Sequence, residues 1–268
     1  MIIRPCNLSC QGCTTFSDLT WAGYTTWEQG KAEIEPWLAR LKFESWGVMG
    51  GEPLMNPDLK NWLRGIRDLM PETQIRVVTN GLLLNKHRWI VDLLHELGNS
   101  TLKISYHLPD NQLDQEIEFI QKRFAWKPVT EYGINRWLTD NEYRFQIARP
   151  EKFLRTFRGS YDNMMPHNNA PNEAFEICVQ KRCPMMFKGR IYKCGTAGLT
   201  PDLLERFNYP NKEMWEPFID AGLAPDCSDD DLARFVQNFG KPHKICRQCP
   251  TNKDIESLID HTITVKRK

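Results

Sequence analysis

Cys6-Asn7-Leu8-Ser9-Cys10-Gln11-Gly12-Cys13 stands within the first thirteen residues of the chain. This CxxxCxxC run carries three thiols, one fewer than a closed structural metal site uses. An iron–sulfur cube held by three cysteines keeps one iron open to a ligand that is not protein. An open coordination position is what separates catalytic from structural metal centres. The stretch therefore marks where the chemistry is expected.

Working outward, composition narrows the partners. The 268 residues suffice for one large α/β domain or for a medium domain with a smaller one. Lys and Arg number 35 against 34 Asp and Glu, a formal charge of +1. Neither nucleic acid nor an anionic membrane is expected as a partner on that balance. The sequence has no run of 18 or more apolar residues and no signal-peptide core, which predicts a soluble, cytoplasmic protein. In that compartment nine cysteines are expected as thiols. They fall at 6, 10 and 13, at 178, 183 and 194, and at 246 and 249, with Cys227 apart. Two cysteine-bearing regions point to two metal sites.

From Ile2 to Ala148 short β-rich runs alternate with helical periodicity. Strands are predicted at Ile2–Arg4, Trp46–Met49, Ile75–Thr79, Leu102–His107, Val129–Gly133 and Phe145–Ala148. One helical face carries Leu59, Trp62, Leu63, Ile66 and Met70, with Asn56 expected as its cap and Pro57 at its first position. Others carry Ile90, Val91, Leu94 and Leu97, then Leu113, Ile117, Ile120 and Phe124. Ile34–Leu41 has the same spacing, kinked or restarted at Pro36. The alternation predicts βαβ units, a parallel sheet and ligands at the carboxyl ends of its strands.

From about Ser160 the pattern changes, and Asn163–Asn172 reads as a linker or loop. Cys183 to Cys194 then reads as a hairpin turning at Lys188-Gly189. It pairs Phe187 with Arg190 and, counting outward, Cys183 with Cys194, whose Cβ atoms would stand roughly 4.5–5.5 Å apart. Ser228 before Asp229, Asp230 and Asp231 reads as an N-cap with an acidic first turn.

Three motifs fall in order at successive strand ends: the cysteine run, Gly50-Gly51-Glu52-Pro53 and Thr79-Asn80-Gly81. Together they resemble the radical S-adenosylmethionine (SAM) enzymes, over roughly Met1–Arg149. The resemblance implies that Cys6, Cys10 and Cys13 hold a [4Fe–4S] cluster whose fourth iron binds the amino and carboxylate groups of SAM. One electron then cleaves the sulfonium to a 5′-deoxyadenosyl radical, which abstracts a substrate hydrogen. Cosubstrate contacts are implied for Gly50, Gly51, Glu52, Pro53, Thr79, Asn80 and Ser105. The residue types agree: the glycines permit close approach of a ligand to the backbone. Glu52 can accept a charge-assisted bond from a cationic amino group, and Asn80 offers donor and acceptor together. Two features depart from the pattern. Gly12 replaces the aromatic residue usual before the third cysteine, for which Phe16 or Trp21 could substitute. Only five residues precede Cys6, so the first strand is short.

The second cysteine group resembles the auxiliary-cluster domain of the SPASM/twitch branch, with a cysteine, a Gly-x4-Cys hairpin and a distant CxxC. Here these are Cys178 or Cys183, Gly189 with Cys194, and Cys246 with Cys249. Cys178 has the family's spacing and Cys183 the cross-strand geometry; the reading leans to Cys183 and keeps both. One downstream CxxC implies one auxiliary [4Fe–4S] cluster. Zinc is the competing reading, because paired cysteine half-sites also build zinc ribbons. Cys227 reads as a small buried hydrophobe. His243 is a candidate further ligand, and Tyr106, His107 and Arg149 are candidates to face the site.

The expected architecture is α/β: a partial (β/α)6 TIM-like barrel over 1–160 and a small C-terminal twitch-like auxiliary-cluster domain over 161–268. The expected activity is oxidoreductase-like radical modification of a peptide or protein side chain. Dehydrogenation or epimerisation of a sugar or aminocyclitol-like metabolite is the alternative. A zinc-binding module or an electron carrier is the non-enzymatic one. The implied partners are SAM, the substrate and an electron donor such as flavodoxin or ferredoxin.

Overall fold

The computed structural model describes residues 1–131, 134–150, 152–254, 258–260 and 263–266. In chain order come β1 (Leu8–Cys10), α1 (Trp27–Leu38), β2 (Ser45–Val48), α2 (Leu59–Leu69), β3 (Gln74–Thr79), α3 (Trp89–Leu97), β4 (Ser100–Ser105) and α4 (Asn111–Arg123). There follow β5 (Lys127–Glu131), β6 (Ile134–Leu138), β7 (Tyr143–Ala148), β8 (Lys152–Leu154), α5 (Pro171–Ile177), β9 (Met185–Phe187), β10 (Arg190–Tyr192), α6 (Gly195–Arg206) and α7 (Asp229–Gln237). The chain forms two compact units, one of Met1–Asn7, Thr20–Glu151 and Val265–Lys268, the other of Leu8–Leu19 and Lys152–Thr264. Among the described residues no helix is long and apolar enough to cross a membrane.

The first unit is built on a six-stranded sheet of order β2-β3-β4-β7-β6-β5. β2, β3, β4 and β7 run parallel. Val48, Val77, Leu102 and Phe145 stand side by side across these four strands with no exposed surface. Each such side chain contributes about 1.5–3 kcal/mol on burial, so the row fixes strand register. The expected helical faces pack down: Leu59, Trp62, Leu63 and Ile66 on α2, and Leu113, Ile117 and Ile120 on α4, are buried. Asp110 caps α4 by accepting the Leu113 N–H at 2.8 Å.

Three expectations change. The sheet is mixed, because β5 and β6 form an antiparallel hairpin that joins β7 antiparallel. A parallel return between β5 and β7 needs a crossover of a dozen or more residues, and the stretch between them has no helical periodicity to supply one. The predicted strand Val129–Gly133 falls on β5 as far as Glu131, with Tyr132 and Gly133 outside the described residues. Asn56 does not cap α2. Its Nδ2 donates to Ile2 O (3.0 Å) and Thr25 O (3.1 Å), and its Oδ1 accepts the Asp58 N–H at 2.9 Å. Finally, α1 begins at Trp27, where Thr26 and Gln29 form a capping box, and Pro36 sits inside the helix without ending it.

In the second unit β9 and β10 pair antiparallel with Phe187 opposite Arg190. Lys188 (φ 50°) and Gly189 (φ 71°) occupy the turn in the left-handed conformation that a two-residue hairpin requires. The ladder ends at Met185 and Tyr192, so the expected cross-strand pairing does not reach Cys183, which is exposed. Ser228 caps α7 as expected, its Oγ accepting the Asp231 N–H at 3.1 Å. Leu199, Leu203, Trp215 and Phe218 form the buried centre of this unit.

Candidate functional site

At the carboxyl ends of the parallel strands in the first unit, the chain bonds tightly to itself. Ile3 pairs in parallel with Gly50; the Gly51 N–H donates to Ile3 O at 2.8 Å and the Glu52 N–H to Pro5 O at 2.9 Å. A Cβ on Gly50 would lie 1.9 Å from Ile3 O, and one on Gly51 2.0 Å from Pro5 O. The close approach these glycines allow is to the chain's own backbone at residues 3–5, where the sequence alone suggests a ligand. That backbone forms isolated bridges at Ile3 in place of the expected strand Ile2–Arg4.

Glu52 is fully buried. Its Oε1 accepts the Thr79 hydroxyl (2.6 Å) and the Leu54 N–H (3.0 Å), while Oε2 accepts the Asn80 N–H (2.8 Å). Burial pushes its carboxyl up to about 7, and the bonds from Thr79, Leu54 and Asn80 hold it from rising further. The carboxylate is an internal brace between two strand ends. Pro53, buried, starts the short 3-10 turn Pro53–Met55 that follows it.

The Thr79 hydroxyl also accepts the Gly81 N–H at 3.0 Å. Asn80 uses Oδ1 for the Leu82 N–H at 3.1 Å and Nδ2 for Asn7 Oδ1 at 2.7 Å, with Cys6 Sγ 3.8 Å away. Asn7 is a site residue that sequence reasoning missed, although it lies inside the cysteine run. Ser105 ends β4, half-buried and in register with Ala148, and its hydroxyl bonds no other described residue. Tyr106 donates its hydroxyl to Asp114 (2.9 Å) and carries the Arg149 guanidinium over its ring at 4.7 Å, which ties both into a local pair.

Cys6 belongs to the first unit, Cys10 and Cys13 to the second. Cys10 is buried at the end of β1. The Cys13 N–H donates to Cys10 O and the Phe16 N–H to Cys13 O, each at 3.0 Å, and Cys13 Sγ stands 3.2 Å from Thr15 Oγ1. A hollow of about 240 Å³ opens beside this turn, lined by Gly12, Cys13, Phe16, Asp18, Phe157 and Tyr161 among others. Gly12, the residue before Cys13, is part of that lining. Of the two aromatic substitutes, Phe16 lines the hollow, whereas Trp21 stacks under the Arg4 guanidinium at 3.3 Å. The Tyr161 hydroxyl donates to Asp18, 2.8 and 2.9 Å from its two oxygens. Burial first, and the Asp18 charge second, push the Tyr161 phenol far above its ordinary range. No sequence signal links Asp18 to Tyr161, 143 positions on.

Elsewhere in the second unit Cys178, Cys194 and Cys249 are each raised by burial and by neighbouring thiols, Cys246 among them. Burial pushes the Cys194 thiol up to about 12 and Cys249 well above its usual range, with the neighbouring thiols adding to both. Cys178 is raised by burial and lowered by the Gln180 N–H, which donates to its Sγ at 3.3 Å. The Ala197 N–H at the start of α6 does the same for Cys194. Gln180 joins the two, its Oε1 accepting the Gly195 N–H (2.8 Å) and its Nε2 donating to Thr196 (3.1 Å). Cys183 stays exposed, although its charge contributes to raising Cys178. His243 caps the turn that carries Cys246, its Nδ1 accepting the Ile245 N–H at 3.3 Å. Cys227 is half-buried.

Among the described residues, no three His, Cys, Asp or Glu side chains form a ready ligand set for a metal ion. The donor chemistry nonetheless fits iron–sulfur ligation: thiols, with peptide N–H groups on the sulfurs of Cys178 and Cys194 of the kind that tune cluster potential.

Comparison with known proteins bears on the first half of the chain. GTP 3',8-cyclase of Microcystis aeruginosa is 26% identical over 130 residues, 47% of this chain and 39% of that protein. GTP 3',8-cyclase of Staphylococcus carnosus is 36% identical over 70 residues, 26% of this chain and 20% of that protein. The chain therefore spans well under half the length of the curated relatives it matches. The sequence model of the Radical SAM superfamily matches residues 1–137. With the three-cysteine run and both strand-end motifs inside a match of just over half the chain, the protein belongs to the radical SAM superfamily and is an enzyme of that class.

Proposed function

We propose that Cys6, Cys10 and Cys13 hold the [4Fe–4S] cluster that the family implies. When bound, that cluster supplies the electron that cleaves SAM, and the resulting 5′-deoxyadenosyl radical abstracts hydrogen from a substrate. The observation that carries this reading is the Glu52 brace. By accepting from Thr79 and Asn80 it ties the turn after β2 to the end of β3 at the sheet's carboxyl edge. Gly50, Gly51, Pro53, Thr79, Asn80 and Ser105 are assigned to the cosubstrate site, with Glu52 as its positioning residue. Ser105 supplies a hydroxyl not spent elsewhere, and Asn80 links the site to the cysteine run through Asn7.

Residues 161–268 are assigned to a twitch-like domain whose auxiliary [4Fe–4S] cluster uses Cys178, Cys194, Cys246 and Cys249. Cys178 acts electrostatically on both Cys194 and Cys249, and Cys183 is exposed, which favours Cys178 as the fourth ligand. Zinc at the same thiols is the competing assignment. The hollow beside Cys13 has room for one side chain or one small ring. A peptide or protein side chain is the substrate class assigned first. A small metabolite is the second, favoured by relatives whose names specify GTP.

Anaerobic reconstitution tests the assignment. About eight irons per chain, and 5′-deoxyadenosine formed on reduction with SAM, are expected. Zinc at both thiol groups without cleavage of SAM would overturn it.

A further inference from the structure

Part of the stretch expected as a linker, Asn163–Asn172, is fastened to the turn that carries Cys246 and Cys249. That turn is the 3-10 helix Lys244–Gln248, and a helix end leaves its last carbonyls without partners inside the helix. Residues 167–169 supply the donors. The His167 N–H donates to Gln248 O at 3.3 Å and the Asn169 N–H to Arg247 O at 2.8 Å. The Asn169 side chain takes the next carbonyl, its Nδ2 donating to Cys249 O at 3.0 Å.

An amide side chain has two ends, and only one of them donates. Asp254 decides which end of Asn169 meets Cys249, because its Oδ2 accepts from the same Nδ2 at 2.7 Å. That oxygen also accepts the Thr251 N–H (2.8 Å) and the Thr251 hydroxyl (3.0 Å), which fixes the carboxylate in turn. Buried His167 stands against the other oxygen, its Nδ1 3.4 Å from Oδ1. All of these groups belong to the second unit.

The segment after Asn169 gives this clamp its consequence. α5 starts at Pro171 and runs 7 residues, about 10 Å, to Cys178 at its C-terminal cap. One end of this strut is bonded to the turn of Cys246 and Cys249, and the other end carries a thiol. The helix fixes the length, so the clamp sets where Cys178 stands against the other two. A metal site tolerates only about 0.2 Å of error in its ligand distances, so a slip at Asn169 is felt at the sulfurs. Lys253 also pairs with Glu173 on α5 at 2.9 Å, but both side chains are exposed and such pairs contribute little.

We propose that Asp254 is the positioning residue of this thiol group. Through Asn169 it holds α5 and the Cys246–Cys249 turn at the spacing one cluster requires. The proposal rests on the reading of Cys178, Cys194, Cys246 and Cys249 as cluster ligands, and adds what brings two of their segments together.

The test is iron release to a chelator from the anaerobically reconstituted full chain, with the EPR spectrum of the reduced protein alongside. Asp254→Ala is expected to release about four of about eight irons roughly tenfold faster and to alter the signal of one cluster only. Asp254→Asn keeps an oxygen for Thr251 and Asn169 and should stay within about threefold of the unaltered rate. Asn169→Ala should match Asp254→Ala, and the two together should be no worse than either, because both remove one clamp. Asn169→Asp sets two carboxylates together and should release iron fastest; it carries the test if circular dichroism shows Asp254→Ala misfolded. Lys253→Ala should leave the rate unchanged. With about eight irons in the unaltered protein, unchanged release from Asp254→Ala or Asn169→Asp, or effects that multiply in the double variant, would overturn the clamp alone. Only about four irons in the unaltered protein would remove the cluster reading and this proposal with it.

Discussion

The Thr79 hydroxyl donates to the Glu52 carboxylate across 2.6 Å, both side chains buried, and the bond joins the turn after β2 to the end of β3. Glu52 takes two further bonds, from the Leu54 and Asn80 N–H groups. An acidic side chain in the Gly-Gly-Glu-Pro motif is therefore spent on holding the site's backbone rather than left facing solvent.

That brace predicts a pH dependence. Burial lifts the Glu52 carboxyl from 4.5 to about 7. Between those values the folded protein holds a proton that the unfolded chain has released, so this group's contribution to stability falls as pH rises through the window and levels off above it. The total change is on the order of 3 kcal/mol. Glu52→Gln is expected to remove that slope, and at pH 8 to cost about 1–3 kcal/mol by setting an amide N–H against peptide donors. Urea unfolding of both proteins from pH 4.5 to 8 checks it; equal slopes would sink the idea.

Gly51→Ala places a methyl 2.0 Å from Pro5 O and 2.4 Å from Arg4 O. The Arg4–Pro5 backbone has to move, at an expected cost of about 1–3 kcal/mol. Gly47→Ala meets only Met49 Sδ at 3.9 Å and serves as the control. Thermal unfolding should separate the two, and similar melting temperatures would argue that the strand contact is soft.

Cys178→Ser and Cys183→Ser should differ in iron. The Cys178 variant is expected to lose the auxiliary cluster, about four irons per chain, and the Cys183 variant to keep all of them. The reverse result would return the fourth ligand position to Cys183.

Tyr161→Phe leaves the Asp18 carboxylate without its phenol donor and is expected to cost about 1–3 kcal/mol. In a double-mutant cycle with Asp18→Asn, a coupling energy of about 1 kcal/mol or more is expected. Additive effects would show that the pair contributes nothing beyond its parts.

Elements of both units were legible in residue order. The period of Leu59, Trp62, Leu63 and Ile66 reports which face of α2 is buried, and the Lys188-Gly189 turn reports the hairpin, because both signals are local. The β5–β6 hairpin was not legible, since a short apolar run does not say whether its neighbour is parallel or antiparallel. Asn56 illustrates the same limit: a residue typed as a helix cap bonds Ile2 and Thr25 instead, through contacts that exist only after the chain returns.

By itself the sequence determined the chemistry on offer: three thiols in Cys6–Cys13, the two strand-end motifs and the superfamily they identify. These are matters of residue type and short spacing, which survive in one dimension. Only the tertiary structure decided that Gly50 and Gly51 receive the backbone of residues 3–5, that Glu52 braces Thr79 and Asn80, and that Cys183 stays exposed. Each of these depends on which distant backbone arrives beside a side chain and how much water it excludes.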